Sequence, residues 1–106
     1  PTENKSQIRS MLSESLLAVI AQKLLKTKGG SGRVAACEVM VANTAIKNLI
    51  REDKIYQIPS IIQAGGKEGM QTLDMDLQRL LHQGQIERTD AIRIAENPEL
   101  FEKGIF

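Results

Sequence analysis

The stretch Lys26-Thr27-Lys28-Gly29-Gly30-Ser31-Gly32-Arg33-Val34-Ala35-Ala36-Cys37-Glu38-Val39-Met40-Val41 decides the fold of this chain. Its first seven residues hold three glycines and a serine, a composition that interrupts regular structure and reads as a turn. From Arg33 to Val41 the residues are almost wholly apolar and include three valines, which predicts a strand buried on both faces. The residues just before the turn are the candidates to pair with it as a hairpin.

Upstream of the turn, Ile8, Met11, Leu12, Leu16, Val19, Ile20 and Leu24 recur at helical spacing and predict one long helix from about Asn4 to Leu24. Downstream the character changes to short helices. The run Ala45-Ile46-Lys47-Asn48-Leu49-Ile50-Arg51-Glu52-Asp53-Lys54 separates into two faces, with Asn43 or Thr44 as its cap. Ala45, Ile46, Leu49 and Ile50 make an apolar stripe. Lys47, Arg51 and Lys54 make a cationic one, and like charges at this spacing repel, so the helix gains nothing from them. A segment from Lys54 to Ala64 follows, with Pro59 limiting the regularity of its first part. Gly65, Gly66 and Gly69 interrupt it. Thr72 caps a further helix with Leu73, Leu77, Leu80 and Leu81, which Gly84 ends in the left-handed conformation. Thr89 opens the last predicted helix, with Ala91, Ile92 and Ala95, and Asn97-Pro98 ends it. The tail from Glu99 to Phe106 either folds as one more turn or stays mobile.

At 106 residues this is one domain or part of one. Apolar and charged fractions of 42% and 25% are those of a globular protein, and 3% aromatic content leaves little with which to stack bases. A net charge of +1 provides no global field toward a polyanion, so nucleic acid is not the partner indicated. The longest apolar run, Leu16 to Ala21, is far too short to span a bilayer. Cys37, alone and among apolar neighbours, reads as a small buried hydrophobe. With His82 also alone, neither a zinc site nor a Cys/His nucleophile pair can be assembled from this sequence. The chain begins with Pro1 rather than Met, so either the initiator was removed or this is a piece of something longer.

Two glycine-rich stretches imitate phosphate loops and fail on their neighbours. Gly30-Ser31-Gly32-Arg33-Val34-Ala35 fits G-x-G-x-x-A, but a strand follows where a helix is required. Gly65-Gly66-Lys67 is followed by Glu68 rather than Ser or Thr, and Ile61 stands where a P-loop has its first glycine. The acidic pairs Asp74 with Asp76 and Glu52 with Asp53 read as solvated helix surface. These residues alone do not make an enzyme.

Four blocks together resemble the C-terminal end of the type IV pilus retraction ATPases, the PilT family of secretion-type motors. They are Ser13 to Leu16 with Ala18 to Leu25, then Gly32 to Met40, the run from Ala45, and Gln57 to Ser60 through Gly69 to Asp74. The third block is similar to the family's Ala-Ile-Arg-Asn-Leu-Ile-Arg-Glu motif, here Ala45, Ile46, Lys47, Asn48, Leu49, Ile50, Arg51 and Glu52, and points to the retraction branch. Lys47 stands in place of an arginine, Asp53 of a common glycine, and Leu17 of an arginine.

The resemblance implies an α/β fold, the mostly helical C-terminal part of a RecA-like P-loop ATPase domain: long helix, strand or hairpin, then short helices. It implies a hexameric parent at the cytoplasmic face of the inner membrane that uses ATP and magnesium, bound by residues upstream, to power retraction and twitching motility. This segment would bind neither. Its motif helix would dock through the apolar stripe and couple ring movement to pilus machinery through Lys47, Asn48, Arg51 and Glu52. The alternative is a stand-alone helical interaction module using the same helix.

Overall fold

The computed structural model describes residues 2–102, with side chains described from Asn4 onward. Helix α1 (Thr2–Ser15) leads into strands β1 (Ala18–Lys26) and β2 (Arg33–Val41). Helices α2 (Thr44–Arg51), α3 (Ile58–Ala64), α4 (Leu73–His82), α5 (Arg88–Ile94) and α6 (Glu99–Glu102) follow. The chain divides into two compact units: residues up to Ile20 with Val39–Met70, and Ala21–Glu38 with the residues from Gln71 onward.

The expected helix from Asn4 to Leu24 is instead a helix and a strand. It stops at Ser15, and Val19, Ile20 and Leu24 belong to β1, which pairs with β2 in a two-stranded sheet. An apolar run of this length satisfies either period, and the need of β2 for a partner decides between them. The turn makes the pairing possible. Gly29 and Gly30 take φ values of 90° and 76°, and Thr27 closes the loop by donating its N–H to the Gly32 carbonyl at 3.0 Å and accepting the Gly32 N–H on Oγ1 at 2.9 Å. The expectation that Arg33–Val41 is buried on both faces does not hold. Only Ala36 is fully buried, Arg33 is exposed, and the other residues, Cys37 among them, are half-buried, because two strands cover less than a full sheet would. β1 is exposed except at Leu25.

In the first unit, Ile46 and Ile50 of α2 bury with Ala42, and Leu16, Met40, Ile58 and Ile61 pack against them. Pro59 stands at the start of α3, where its missing N–H has no intrahelical partner to lose. Gly65 follows because a Cβ there would lie 2.8 Å from the Met70 methyl and 3.0 Å from the Ile61 carbonyl oxygen. On α1, Ile8, Met11 and Leu12 stay exposed around an open apolar depression.

The second unit holds the larger core: Leu25, Ala36, Leu73, Leu77, Leu80, Ile86, Ala91 and Phe101. Thr72 caps α4 as expected, accepting the Met75 N–H at 3.1 Å. Helix α5 begins earlier than expected, at Arg88. The Glu87 carbonyl accepts from Asp90 and Ala91, so Thr89 lies inside the first turn, and Ala95 falls just past the end. The tail folds as one more turn through Glu102, with Phe101 fully buried and its carbonyl accepting from Arg88 at 2.8 Å. Its remainder, 103–106, lies outside the described residues.

Asp74 and Asp76 are not solvated surface. Asp76 is buried and accepts the Cys37 N–H and the Arg79 Nε–H, each at 2.7 Å. Gln71 Nε2 donates to the Cys37 carbonyl at 2.7 Å, so both edge groups of Cys37 in β2 are satisfied by side chains. Asp74 accepts the N–H groups of Glu96 and Asn97 at 2.9 Å. These carboxylates hold backbone in place of carrying out acid/base chemistry.

Candidate functional site

The helix carrying the motif is fixed at both ends. At its start Asn43, with extended backbone, accepts the Ile46 N–H at 2.9 Å on its side-chain oxygen. The Asn43 amide nitrogen donates to Glu68 at 2.9 Å, which orients the cap. At its end the chain closes with two reversed bonds, Asp53 N–H to the Ile50 carbonyl at 3.2 Å and Lys54 N–H to the Leu49 carbonyl at 2.8 Å. This is the Schellman pattern, whose left-handed position glycine usually fills. Here Asp53 fills it at φ 60°, the one positive-φ residue other than glycine among the described residues. Arg9 of α1 reaches the same carboxylate at 3.8 Å.

The motif residues sort by burial. Ile46 and Ile50 are buried, one helical turn apart, and face the small core of their unit. Leu49 and Lys47 are half-buried, while Asn48, Arg51 and Glu52 are exposed. Ala45 is exposed and does not join the apolar stripe, because it stands about 100° around the helix from Ile46. The three-cation stripe is also shorter than expected. The helix ends at Arg51, so Lys54 leaves it and pairs with Glu52 at 3.8 Å. Arg51 donates to Asn48 Oδ1 at 3.1 Å. Among the described residues, neither Lys47 nor Arg51 has an ion-pair partner.

The glycine turn before Met70 is not built as a phosphate loop. Gly66–Glu68 forms a 3-10 turn in which the Glu68 carboxylate is engaged by Asn43, and the space beside Gly65 is filled by Met70. A carboxylate at that turn repels phosphate. A cleft of about 120 Å³ in the second unit, lined by Ala21, Gln22, Lys23, Glu38, Leu73 and Glu96, is too small for a nucleotide and acidic. Burial raises the Glu38 carboxyl above its ordinary value. Glu96 and Asp74 add to this, and the Leu73 N–H works against it. Among the described residues no group of His, Cys, Asp and Glu could hold a metal.

The chain is 56% identical over 99 residues to the twitching motility protein of Neisseria gonorrhoeae, covering 93% of this chain and 26% of that protein. It is 56% identical over 101 residues to the type IV pilus retraction ATPase PilT of Pseudomonas aeruginosa, covering 95% and 29%. The crystal structure of the pilus retraction motor PilT with bound ADP superposes on it with a TM-score of 0.80 at 39% identity, covering 97% of this chain and 28% of that one. This chain is a homologue of one segment of the pilus retraction ATPases. It spans between a quarter and a third of the length of the relatives it matches. No family profile matches it. The hairpin and the short helices are therefore a portion of an ATPase fold, in line with the α/β reading. Among the described residues no helix is long and apolar enough to cross a membrane.

The buried acceptor Asp76 is the residue that sequence reasoning missed. Its sequence signal was present: it shares a helical face with Leu73 and Leu80, three and four residues away.

Proposed function

We propose that this chain is the C-terminal segment of a hexameric type IV pilus retraction ATPase. The parent works at the cytoplasmic face of the inner membrane and powers twitching motility. The observation that carries this reading is the 56% identity to two such proteins across nearly the whole chain. ATP and magnesium are held by residues of the parent outside this segment, and no step of their chemistry runs through the residues described above.

The segment's own task is mechanical. Ile46 and Ile50 seat α2 on its unit, and Asn43, Glu68 and the Asp53 closure fix both ends. A helix held in this way moves with its support, so displacement of the support is delivered to whatever Lys47, Asn48, Arg51 and Glu52 touch. Asn48, Arg51 and Glu52 are exposed and Lys47 is half-buried, so all four are open to that contact. The coding sequence upstream of Pro1 tests the proposal. An open frame carrying G-x-x-x-x-G-K-[ST] supports it. A frame without that loop contradicts it and leaves the stand-alone interaction module.

A further inference from the structure

The exposed surface does not end with the motif. Every residue from Arg51 to Gln57 is exposed. Within that run stand Ile55, 58% exposed, and Tyr56, 74% exposed and the one tyrosine of the chain. The run is structured rather than slack. The reversed closure at Asp53 and Lys54 leads directly into a 3-10 turn at Ile55–Gln57, where the Gln57 N–H donates to the Lys54 carbonyl at 3.0 Å and Gln57 Nε2 donates to the Tyr56 hydroxyl at 3.2 Å. A fixed turn thus holds two large side chains out of the core of their unit.

The charges around this turn sort into paired and unpaired. Arg9 faces Asp53, and Lys54 faces Glu52, each at 3.8 Å. What remains is Lys47 and Arg51, one helical turn apart, with no carboxylate beside either among the described residues. Tyrosine and arginine are the side chains that most often carry interface energy, and a tyrosine ring gives up little rotamer freedom when it docks. Two cations are too few to hold a protein on an anionic bilayer, but they match two carboxylates on a protein surface.

We infer that Lys47, Arg51, Ile55 and Tyr56 form one docking surface for a partner protein that presents a pair of carboxylates beside an apolar notch. This rests on the retraction role proposed above and names the chemistry of its partner. Ile55 and Tyr56 lie outside the motif and act as its apolar anchor.

The test uses the full-length parent in a piliated strain. Ile55→Ser with Tyr56→Ser is expected to slow retraction at least tenfold without lowering the melting temperature, and Tyr56→Phe to keep it within about twofold. Lys47→Glu with Arg51→Glu is expected to abolish retraction and to be suppressed by Asp or Glu changed to Lys or Arg in a partner. Wild-type retraction by Ile55→Ser/Tyr56→Ser overturns the docking surface, as do suppressors that never reverse an acid. Binding of the purified parent to phosphatidylglycerol vesicles that the same variants abolish also overturns it, assigning the surface to lipid. If Lys47→Ala/Arg51→Ala stops retraction while Ile55→Ser/Tyr56→Ser does not, only the docking surface falls. Normal retraction by both pairs removes the retraction role itself.

Discussion

Helices α2 and α4 obey the same local rules and are put to different uses. Each opens on an extended residue whose side chain accepts the N–H three residues on, Asn43 for Ile46 and Thr72 for Met75. Each closes in the Schellman pattern: Lys54 to Leu49 and Asp53 to Ile50 in one, Gln85 to Leu80 and Gly84 to Leu81 in the other. Helix α4 then buries Leu73, Asp76, Leu77 and Leu80, whereas α2 buries only Ile46 and Ile50. One helix is core; the other is seated on two side chains and its caps, and its remaining surface is available to a partner.

The sharpest way to break this contrast is to trim the buried faces. Leu77→Ala is expected to cost about 3–5 kcal/mol in a urea titration, and Ile50→Ala about 2–3 kcal/mol, since the smaller cluster around α2 relaxes more readily. The reverse order would show that α2, not α4, is the structural helix. Next in size are the polar supports. Asp76→Ala leaves the half-buried Cys37 N–H without its acceptor and is expected to cost about 1–3 kcal/mol. Asn43→Ala removes one cap and is expected to cost about 1 kcal/mol.

The two left-handed closing positions predict effects of opposite sign. Gly84→Ala introduces a side chain at φ 69° and is expected to lower stability by about 1–2 kcal/mol. Asp53→Gly relieves φ 60° and a negative charge at a helix C-terminus, and is expected to raise stability by about 1 kcal/mol. The lost pair with Arg9, at 3.8 Å on a largely exposed carboxylate, offsets little of that. Loss of stability in Asp53→Gly would mean that the ion pair outweighs the strain.

The smallest effect concerns pH. Glu38 sits above its ordinary value of 4.5 in the folded chain, so the native state binds its proton more tightly than the unfolded state does. Stability from this group is therefore greatest below that value and declines as pH rises through the raised one. Glu38→Gln should remove that decline, so the variant gains on the parent sequence as pH climbs through the window. Parallel melting curves would refute the assignment.

Local chemistry was legible where a single residue carries it. Asn43, Thr72, Gly84 and Pro59 stand where their backbone preferences place them, and the Gly29-Gly30 turn is a turn. Periodicity alone was not decisive between Ser15 and Lys26, where the pairing demand of β2 overrode a helical spacing. Burial was legible only where the partner is close in sequence. The exposure of Ala45 follows from its angle to Ile46 on the helix, and the departure of Lys54 from the cationic stripe follows from a helix that ends at Arg51, closed by Asp53 in the left-handed position where glycine is usual. Asp76 was misread because its partner, the Cys37 N–H, is 39 residues away. The relation of the motif to retraction came from resemblance, since exposed cations on a short helix have no single chemical meaning.

The most direct test is the Lys47→Ala/Arg51→Ala variant of the full-length parent, with melting temperature and retraction speed measured on the same protein. Neither side chain supports the core of its unit, so an unchanged melting temperature with retraction abolished is the expected result. Retraction at the speed of the parent sequence would contradict a transmission role for α2.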